Sequence, residues 1–524
     1  MDISDLLNEL VQSKVHHDAP GAAVGIYRDG ALIHHAAAGL ANVEFSVPVD
    51  LHTRFDTASV SKQFTATAAL LLCADGRLSM EDDLRSHLPE LQLPTPVTVE
   101  QCLRHTAGLP DWLSVAQMAG LPLTRISQEQ VLAFVAGLTA LNFEPDSRFS
   151  YSNTGYVLVA SLIERLAGMT LGEFAARRIF CPLGMRNTLY REDTMIPLPL
   201  FANGYLVDGK GVSRADTEEC AVGDGGLVTS IADLGPWFGF LQDGRVLGAE
   251  LKNALVRSTS GKGETPRLYA LGLAHMSICG QRALAHSGEV PGYRSQLIFL
   301  PETGIGVAVL SNNSSVKPRQ IAVEALQLAT GLTCPGAPQT VVVDPGMTYA
   351  LSGYWVDPAT DVTLHVEPIE DGRVALSGGF LNGEFVATTG GVWQGLDDSA
   401  DFRLQVKGAL LQVSSTFRPG DDSYFRRCEP PSIGATMPAA AYRNPELGAL
   451  ATITEDGELE LGLQTIARLQ PAPDGAFTAG DLLTLRLSDD RLLVSAEGVY
   501  RLPFIREQER PETLWPLPER PASE

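Results

Sequence analysis

The chain has 524 residues, 44% hydrophobic and 19% charged, which is globular composition with enough length for two or three domains. A net charge of −23 argues against nucleic-acid phosphates or an anionic membrane surface as the partner. No apolar run approaches the roughly 20 residues of a membrane span.

In chain order, residues 1–20 read as a helix with Ile3, Leu6, Leu7, Leu10 and Val11 on its apolar face. Met1 to Leu6 lack a basic region followed by an apolar core, so no signal peptide is expected and the setting reads as cytoplasmic. The seven cysteines are scattered and contain no Cys-x-x-Cys, a pattern that fits reduced buried thiols better than disulfides or a zinc site. His16-His17 and His34-His35 lack ligand-spaced partners and read as surface or strand residues, so neither metal nor cofactor is expected.

Ala22 to Tyr27, the turn Arg28-Asp29-Gly30 and Ala31 to Gly39 read as a β-hairpin. The stretch Phe55 to Gly76 then places Val60, Phe64, Leu71 and Leu72 on one helical stripe, with Gly76 as its left-handed stop. Nearly every turn is apolar, which predicts a buried helix. Ser59 and Lys62 interrupt it at a spacing that lets their side chains meet. A desolvated lysine beside a hydroxyl can take its proton and make the serine a nucleophile.

Leu103 to Asp111 is a turn-rich helix stop in which His105 caps, packs or serves a site. Residues 128–140 read as helix. Phe149 to Tyr156 read as a loop that presents Tyr151 and Asn153 on one side, ahead of a helix from Val157 to Ala167. Gly223-Asp224-Gly225-Gly226 is either a tight turn or a close backbone approach to a site. Antiparallel strands are expected at Leu268–Ala274, Arg282–Ser287, Ser295–Leu300 and Gly306–Ser311, with His286-Ser287-Gly288-Glu289 at a strand end and a helix from Arg319 to Ala329.

Residues 333–348 read as a linker. Beyond it lie short alternating strands with Gly, Asp and Asn turns, the texture of closed or sandwiched antiparallel sheets. Tyr354 to Gly372 and Tyr442 to Gly457 repeat one another, which predicts two related β-domains. The domains expected are therefore 1–335, 348–430 and 440–524.

Ser59-Val60-Ser61-Lys62, Tyr151-Ser152-Asn153 and His286-Ser287-Gly288 occur in the order and near the spacing of one known set. Residues 8–332 resemble the serine penicillin-recognising enzymes, which include class C β-lactamases, DD-peptidases and related esterases. Arg104 to Leu109, Cys181-Pro182-Leu183-Gly184-Met185 and the Gly223 turn support the resemblance. That implies an α+β fold, an antiparallel sheet flanked by helices, followed here by two small antiparallel β-barrels. His286 stands where this family usually carries lysine, and with the two β-domains the chain is most similar to bacterial D-aminopeptidases.

The resemblance implies a D-stereospecific serine hydrolase acting through an acyl-enzyme on small D-amino-acid peptides, amides or esters. Ser59 would attack, Lys62 and Tyr151 would share the base role, and Asn153 would bind the substrate amide. His286 and Gly288 would line the site, and the N–H groups of Ser59 and Glu289 would meet the oxyanion. Asp481 and Glu289 are the two candidate acids for the substrate ammonium. β-Lactams are expected inhibitors and a homodimer the expected assembly. The alternatives are an esterase or amidase without D-selectivity, a weak β-lactamase, or a non-catalytic penicillin- or peptidoglycan-binding sensor.

Overall fold

The first and last strands of the N-terminal 330 residues meet in one sheet. In the computed structural model, which describes residues 2–216, 219–260, 266–334, 345–378, 381–396, 402–415, 422–462, 464–480 and 483–507, six antiparallel strands form its body. They run β3 (Ala274–Ile278), β4 (Gln281–Val290), β5 (Tyr293–Leu300), β6 (Ile305–Ser311), β1 (Ala22–Arg28) and β2 (Ala31–Ala38) across the sheet. β1 closes onto β6 in register from Ala22 opposite Ser311 to Arg28 opposite Ile305.

Alternation along these strands sorts two cores. Val24, Ile26, Ile298, Val307 and Val309 face helices α1 (Ile3–Lys14) and α5 (Pro318–Thr330), where Leu7, Val11, Ile321 and Leu326 meet them. Ala23, Tyr27, Leu297, Phe299 and Leu310 face the larger core, which contains helices α2 (Lys62–Ala74) and α4 (Thr154–Ala167). α2 is buried from Lys62 to Leu72 and stops at Gly76, whose φ of +70° is the left-handed conformation expected there.

Two expectations change in this part of the chain. The strand expected at Leu268–Ala274 begins only at Ala274. Before it, Gly272 takes φ +75° and approaches the start of α2 so closely that a Cβ would lie 2.4 Å from the Gln63 nitrogen. The backbone folds back there, so that Tyr269 bridges Ala274 at the start of β3 and lines the cleft described below. The second change is at the cysteines. Cys279, in the β3–β4 turn, is bridged to Cys334 beyond α5, so the reading of all seven as reduced thiols is corrected. The pair lies 55 residues apart in the chain, and only the fold makes it a pair.

Behind this domain come two closed eight-stranded barrels, the first from Gly353–Val356 to Ser423–Cys428 and the second from Ala440–Arg443 to Val499–Arg506. Each closes by pairing its first strand with its last, Tyr354 opposite Cys428 and Tyr442 opposite Arg506. The end of the expected first linker is helical: Pro345–Leu351 forms α6, whose Leu351 is fully buried in the first barrel's core. Trp355 Nε1 donates to the Leu351 carbonyl at 2.9 Å, so the helix end plugs the barrel.

Candidate active site

Ala58–Ser61 forms a 3₁₀ turn that runs straight into α2. At three residues per turn, positions i and i+3 eclipse, and Lys62 Nζ lies 3.1 Å from Ser59 Oγ. Ala58 enters the turn at φ +50°, a strained conformation for a residue with a Cβ, and its N–H is held by Asp56 Oδ1 at 2.7 Å. Burial pushes the Asp56 carboxyl up to about 7.

The Lys62 side chain is fully buried. Besides Ser59 it donates to Asn153 Oδ1 at 2.8 Å and to the Asp224 carbonyl at 2.7 Å. Those two oxygens can only accept. They fix the direction of Nζ and hold it against the Ser59 hydroxyl. The aromatic ring of Tyr151 lies 5.0 Å from the same nitrogen.

Asn153 is set at the N-terminus of α4 by Asp111, whose Oδ2 accepts the Asn153 N–H at 2.7 Å. Asp111 Oδ1 accepts the N–H groups of Leu113 and Ser114, which makes it the N-cap of helix α3 (Trp112–Ala119). Burial raises the carboxyls of both Asp111 and Asp224. Asp224 also accepts from Trp112 Nε1 at 3.1 Å. Of the two readings of the glycine turn, the close approach holds. A Cβ on Gly223 would lie 2.6 Å from Ala160 Cβ, and the Gly223 carbonyl accepts from Thr65 Oγ1 at 2.7 Å.

The opposite wall comes from β4. Gly288 packs against the turn ahead of Ser59, with room for a Cβ only 2.1 Å from the Thr57 carbonyl. His286 Nδ1 lies 2.6 Å from the Ser287 carbonyl and must be the donor there, which leaves Nε2 of the neutral ring to accept the Tyr269 hydroxyl at 2.9 Å. His105 is buried and packs its ring 4.1 Å from that of Tyr151, while its Nδ1 accepts the Ser152 N–H at 3.2 Å. It holds the loop, the packed role among those open in the sequence.

Ser59, Tyr151, Asn153, His286, Gly288 and Glu289 thus line one cleft of about 1040 Å³. Glu289 is 73% exposed and paired with Arg294 at 2.7 Å. Asp481 lies outside the described residues. Among the described residues, the second barrel brings Glu497 to the cleft, beside Gly498. Sequence reasoning missed Tyr269, Asp111 and Glu497. For Asp111 a signal existed, since Pro110-Asp111 precedes an apolar run in the manner of an N-cap. Among the described residues the cluster with metal-ligand spacing is the exposed His16-His17-Asp18 on the surface, so the reading that this histidine pair lacks a partner is corrected by Asp18, and the described cleft residues carry no such set.

A family model for beta-lactamases matches residues 7–331. The D-aminopeptidase of Cereibacter sphaeroides is 26% identical over 466 residues, 88% of this chain and 83% of that protein. The D-aminopeptidase of Gluconobacter oxydans is 27% identical over 475 residues, 86% of this chain and 87% of its own length. Among solved structures, the octameric penicillin-binding protein homologue from Pyrococcus abyssi superposes with a TM-score of 0.58 at 24% identity, over 81% of this chain and 100% of that one. The D-amino acid amidase from Ochrobactrum anthropi SV3 gives 0.55 at 22% identity, over 63% and 99%. These two structures share the fold. With the match spanning the whole N-terminal domain, the chain belongs to the beta-lactamase family and is an enzyme of the serine hydrolase type.

Proposed function

We propose that this chain is a D-stereospecific aminopeptidase that releases N-terminal D-amino acids from peptides, amides and esters through an acyl-enzyme on Ser59. The observation that carries the chemistry is Lys62 Nζ, fully buried, 3.1 Å from Ser59 Oγ and aimed at it by two carbonyl oxygens. The D-aminopeptidase relatives, 26% and 27% identical over most of the chain, support the substrate class.

In the proposed reaction Ser59 Oγ attacks the substrate carbonyl while Lys62 takes its proton, with Tyr151 sharing that role. The N–H groups of Ser59 and Glu289 receive the oxyanion. Tyr151 passes a proton to the departing amine as the C–N bond breaks and the ester to Ser59 remains. Water then adds to that ester, gives its proton back through the same pair, and releases the free acid. Asn153 binds the substrate amide, and His286, fixed by Tyr269, lines the acyl pocket. The cleft carboxylates Glu289 and Glu497 are the candidate acids for the substrate ammonium.

Turnover of D- and L-alanine p-nitroanilide by wild type and Ser59→Ala tests this reading. Release from the D-isomer alone, lost in Ser59→Ala, is expected. Ester hydrolysis that depends on Ser59 without anilide release would keep the nucleophile and discard the aminopeptidase. Activity that survives Ser59→Ala would sink the mechanism.

Inhibition by β-lactams, a homodimer and a cytoplasmic setting belong to the same proposal. Benzylpenicillin protection of Ser59 from labelling and light scattering check the first two. Thiol titration of freshly isolated protein tests the third: a cytoplasmic setting requires Cys279 and Cys334 to be reduced in the cell, giving seven reactive thiols, whereas five, the number left free by the Cys279–Cys334 bridge, would overturn it. No helix among the described residues is long and apolar enough to cross a membrane.

A further inference from the structure

We infer that the second barrel is a positioning element for the reacting groups: its Glu497 to Tyr500 segment holds Asp111, Asp111 holds Asn153, and Asn153 aims Lys62 at Ser59, with Asp361 of the first barrel anchoring the segment from behind. The inference rests on the acyl-enzyme reading of Ser59 and Lys62.

The docking is made by backbone and side-chain hydrogen bonds on residues that flank the cleft. The Gly498 carbonyl accepts the Asp111 N–H at 2.8 Å and Asn142 Nδ2 at 2.9 Å. Ser114 Oγ donates to the Glu497 carbonyl at 2.9 Å. The Tyr500 N–H donates to Asn142 Oδ1 at 3.0 Å, and its hydroxyl to Ser150 Oγ at 2.9 Å, one residue before Tyr151. Gly498 takes φ +68°, and a Cβ there would lie 2.7 Å from Asp111 Cβ. The barrel backbone therefore touches the residue that sets Asn153.

From Gly498 the path is continuous. Both Asp111 oxygens are committed, Oδ1 to the α3 cap and Oδ2 to the Asn153 N–H at 2.7 Å. Asn153 Oδ1 accepts from Lys62 Nζ at 2.8 Å, and Nζ reaches Ser59 Oγ at 3.1 Å. Withdrawing the Asn153 carbonyl removes one of the two oxygens that fix Nζ and lets it swing away from the Ser59 hydroxyl. Misplacement of a reacting group by about 1 Å can cost about 10²-fold in rate.

Behind the segment, Arg501 follows Tyr500 directly and grips both oxygens of Asp361, Nε to Oδ2 at 2.6 Å and Nη2 to Oδ1 at 2.7 Å. Arg486 of the same barrel bonds Asp361 Oδ1 at 2.8 Å. Asp361 is 3% exposed and belongs to the loop ahead of the first barrel's Thr363–Pro368 strand. A carboxylate in the first barrel thus fixes the strand start that presents Tyr500 to the catalytic domain. This is a positioning role, since Asp361 touches neither substrate nor nucleophile.

The test reads Ser59 activation separately from substrate choice. A fluorophosphonate probe labels an activated serine as its Oγ bonds phosphorus and fluoride leaves, and D-alanine p-nitroanilide reads kcat and KM. Gly498→Ala, Tyr500→Phe and Asp361→Asn are each measured alone and in an Asn153→Ala background. Gly498→Ala should lower both labelling and kcat about tenfold or more with KM within about twofold, and the two milder variants about threefold. In the Asn153→Ala background Gly498→Ala and Asp361→Asn should not lower the rate further, because their effect runs through Asn153, whereas Tyr500→Phe, whose lost hydroxyl bonds Ser150 beside Tyr151, keeps its own loss.

Unchanged rates in Gly498→Ala and Tyr500→Phe overturn the inference. So do losses in Gly498→Ala or Asp361→Asn that multiply with that of Asn153→Ala, the mark of a general structural effect. If Gly498→Ala does not fold, Asp361→Asn, which keeps its side-chain shape, decides the matter by the same criterion. A wild-type Ser59 that the probe does not label removes the proposed function and this inference with it. A labelled wild type with indifferent variants removes this inference alone.

Discussion

Asp56 stands three residues ahead of Ser59 and carries a carboxyl that burial raises. Its carboxyl accepts the Ala58 N–H at the strained turn, and burial lifts it to about 7 against an ordinary value of 3.8. A raised acid binds its proton more tightly in the folded state, so its contribution to stability is full below 3.8 and is lost as pH rises through about 7. The stability gap between Asp56→Asn and wild type should therefore widen in favour of the variant from pH ~4 to ~7 and level off above. Urea titrations across that range check it, and a gap constant with pH would refute it. Lys62→Ala should lower kcat about 10²–10⁴-fold in the anilide assay while the protein still folds. Tyr269→Phe removes the hydroxyl that Nε2 of His286 accepts. It should shift the Nε2 resonance in nitrogen NMR and lower kcat/KM about two- to tenfold.

At the scale of elements, the site is a meeting of a helix start with a strand edge. The 3₁₀ turn ahead of α2 brings a half-buried Ser59 and α2 a fully buried Lys62, and β4 brings Gly288 so close to the Thr57 carbonyl that no side chain fits. Gly288→Ala should push β4 from the turn and misplace the Glu289 N–H. The expected cost is about 10²–10³ in kcat, the loss typical of one oxyanion donor. Ser295 Oγ, which donates to the Thr57 carbonyl at 2.8 Å, ties β5 to the same turn. Three elements therefore converge on residues 57–59, and this convergence supports the strained φ of Ala58.

At the scale of the molecule, the barrels divide their work. The second docks on the cleft through residues 497–500, and the first, plugged by Leu351, grips the second through Asp361 with Arg486 and Arg501 and through Arg426 with Asp474. Leu351→Ala should cost the first barrel about 2–5 kcal/mol, read as a separate early transition in chemical denaturation. An unchanged profile would mean that α6 does not plug the barrel in solution.

The sequence by itself determined the class of fold and singled out the candidate reacting set. A lysine in an otherwise apolar helix, a Tyr-Ser-Asn loop before a second helix and a His-Ser-Gly strand end are local patterns, because the chemistry needs unusual residues where burial would favour ordinary ones. Barrel texture and its repeat were legible for the same reason, since strand alternation and turn residues are written over short windows. What stayed hidden was long-range. Tyr269 reaches His286 because Gly272 breaks a strand that periodicity alone would extend, and Cys279 finds Cys334 because α5 ends beside the β3–β4 turn. Gly498 meets Asp111 across most of the chain, at positions that look like an ordinary hairpin tip and an ordinary cap. Periodicity reports which face of an element is buried; which neighbour buries it, and which barrel loop closes the cleft, follow from packing among distant segments, and only the tertiary structure contains that.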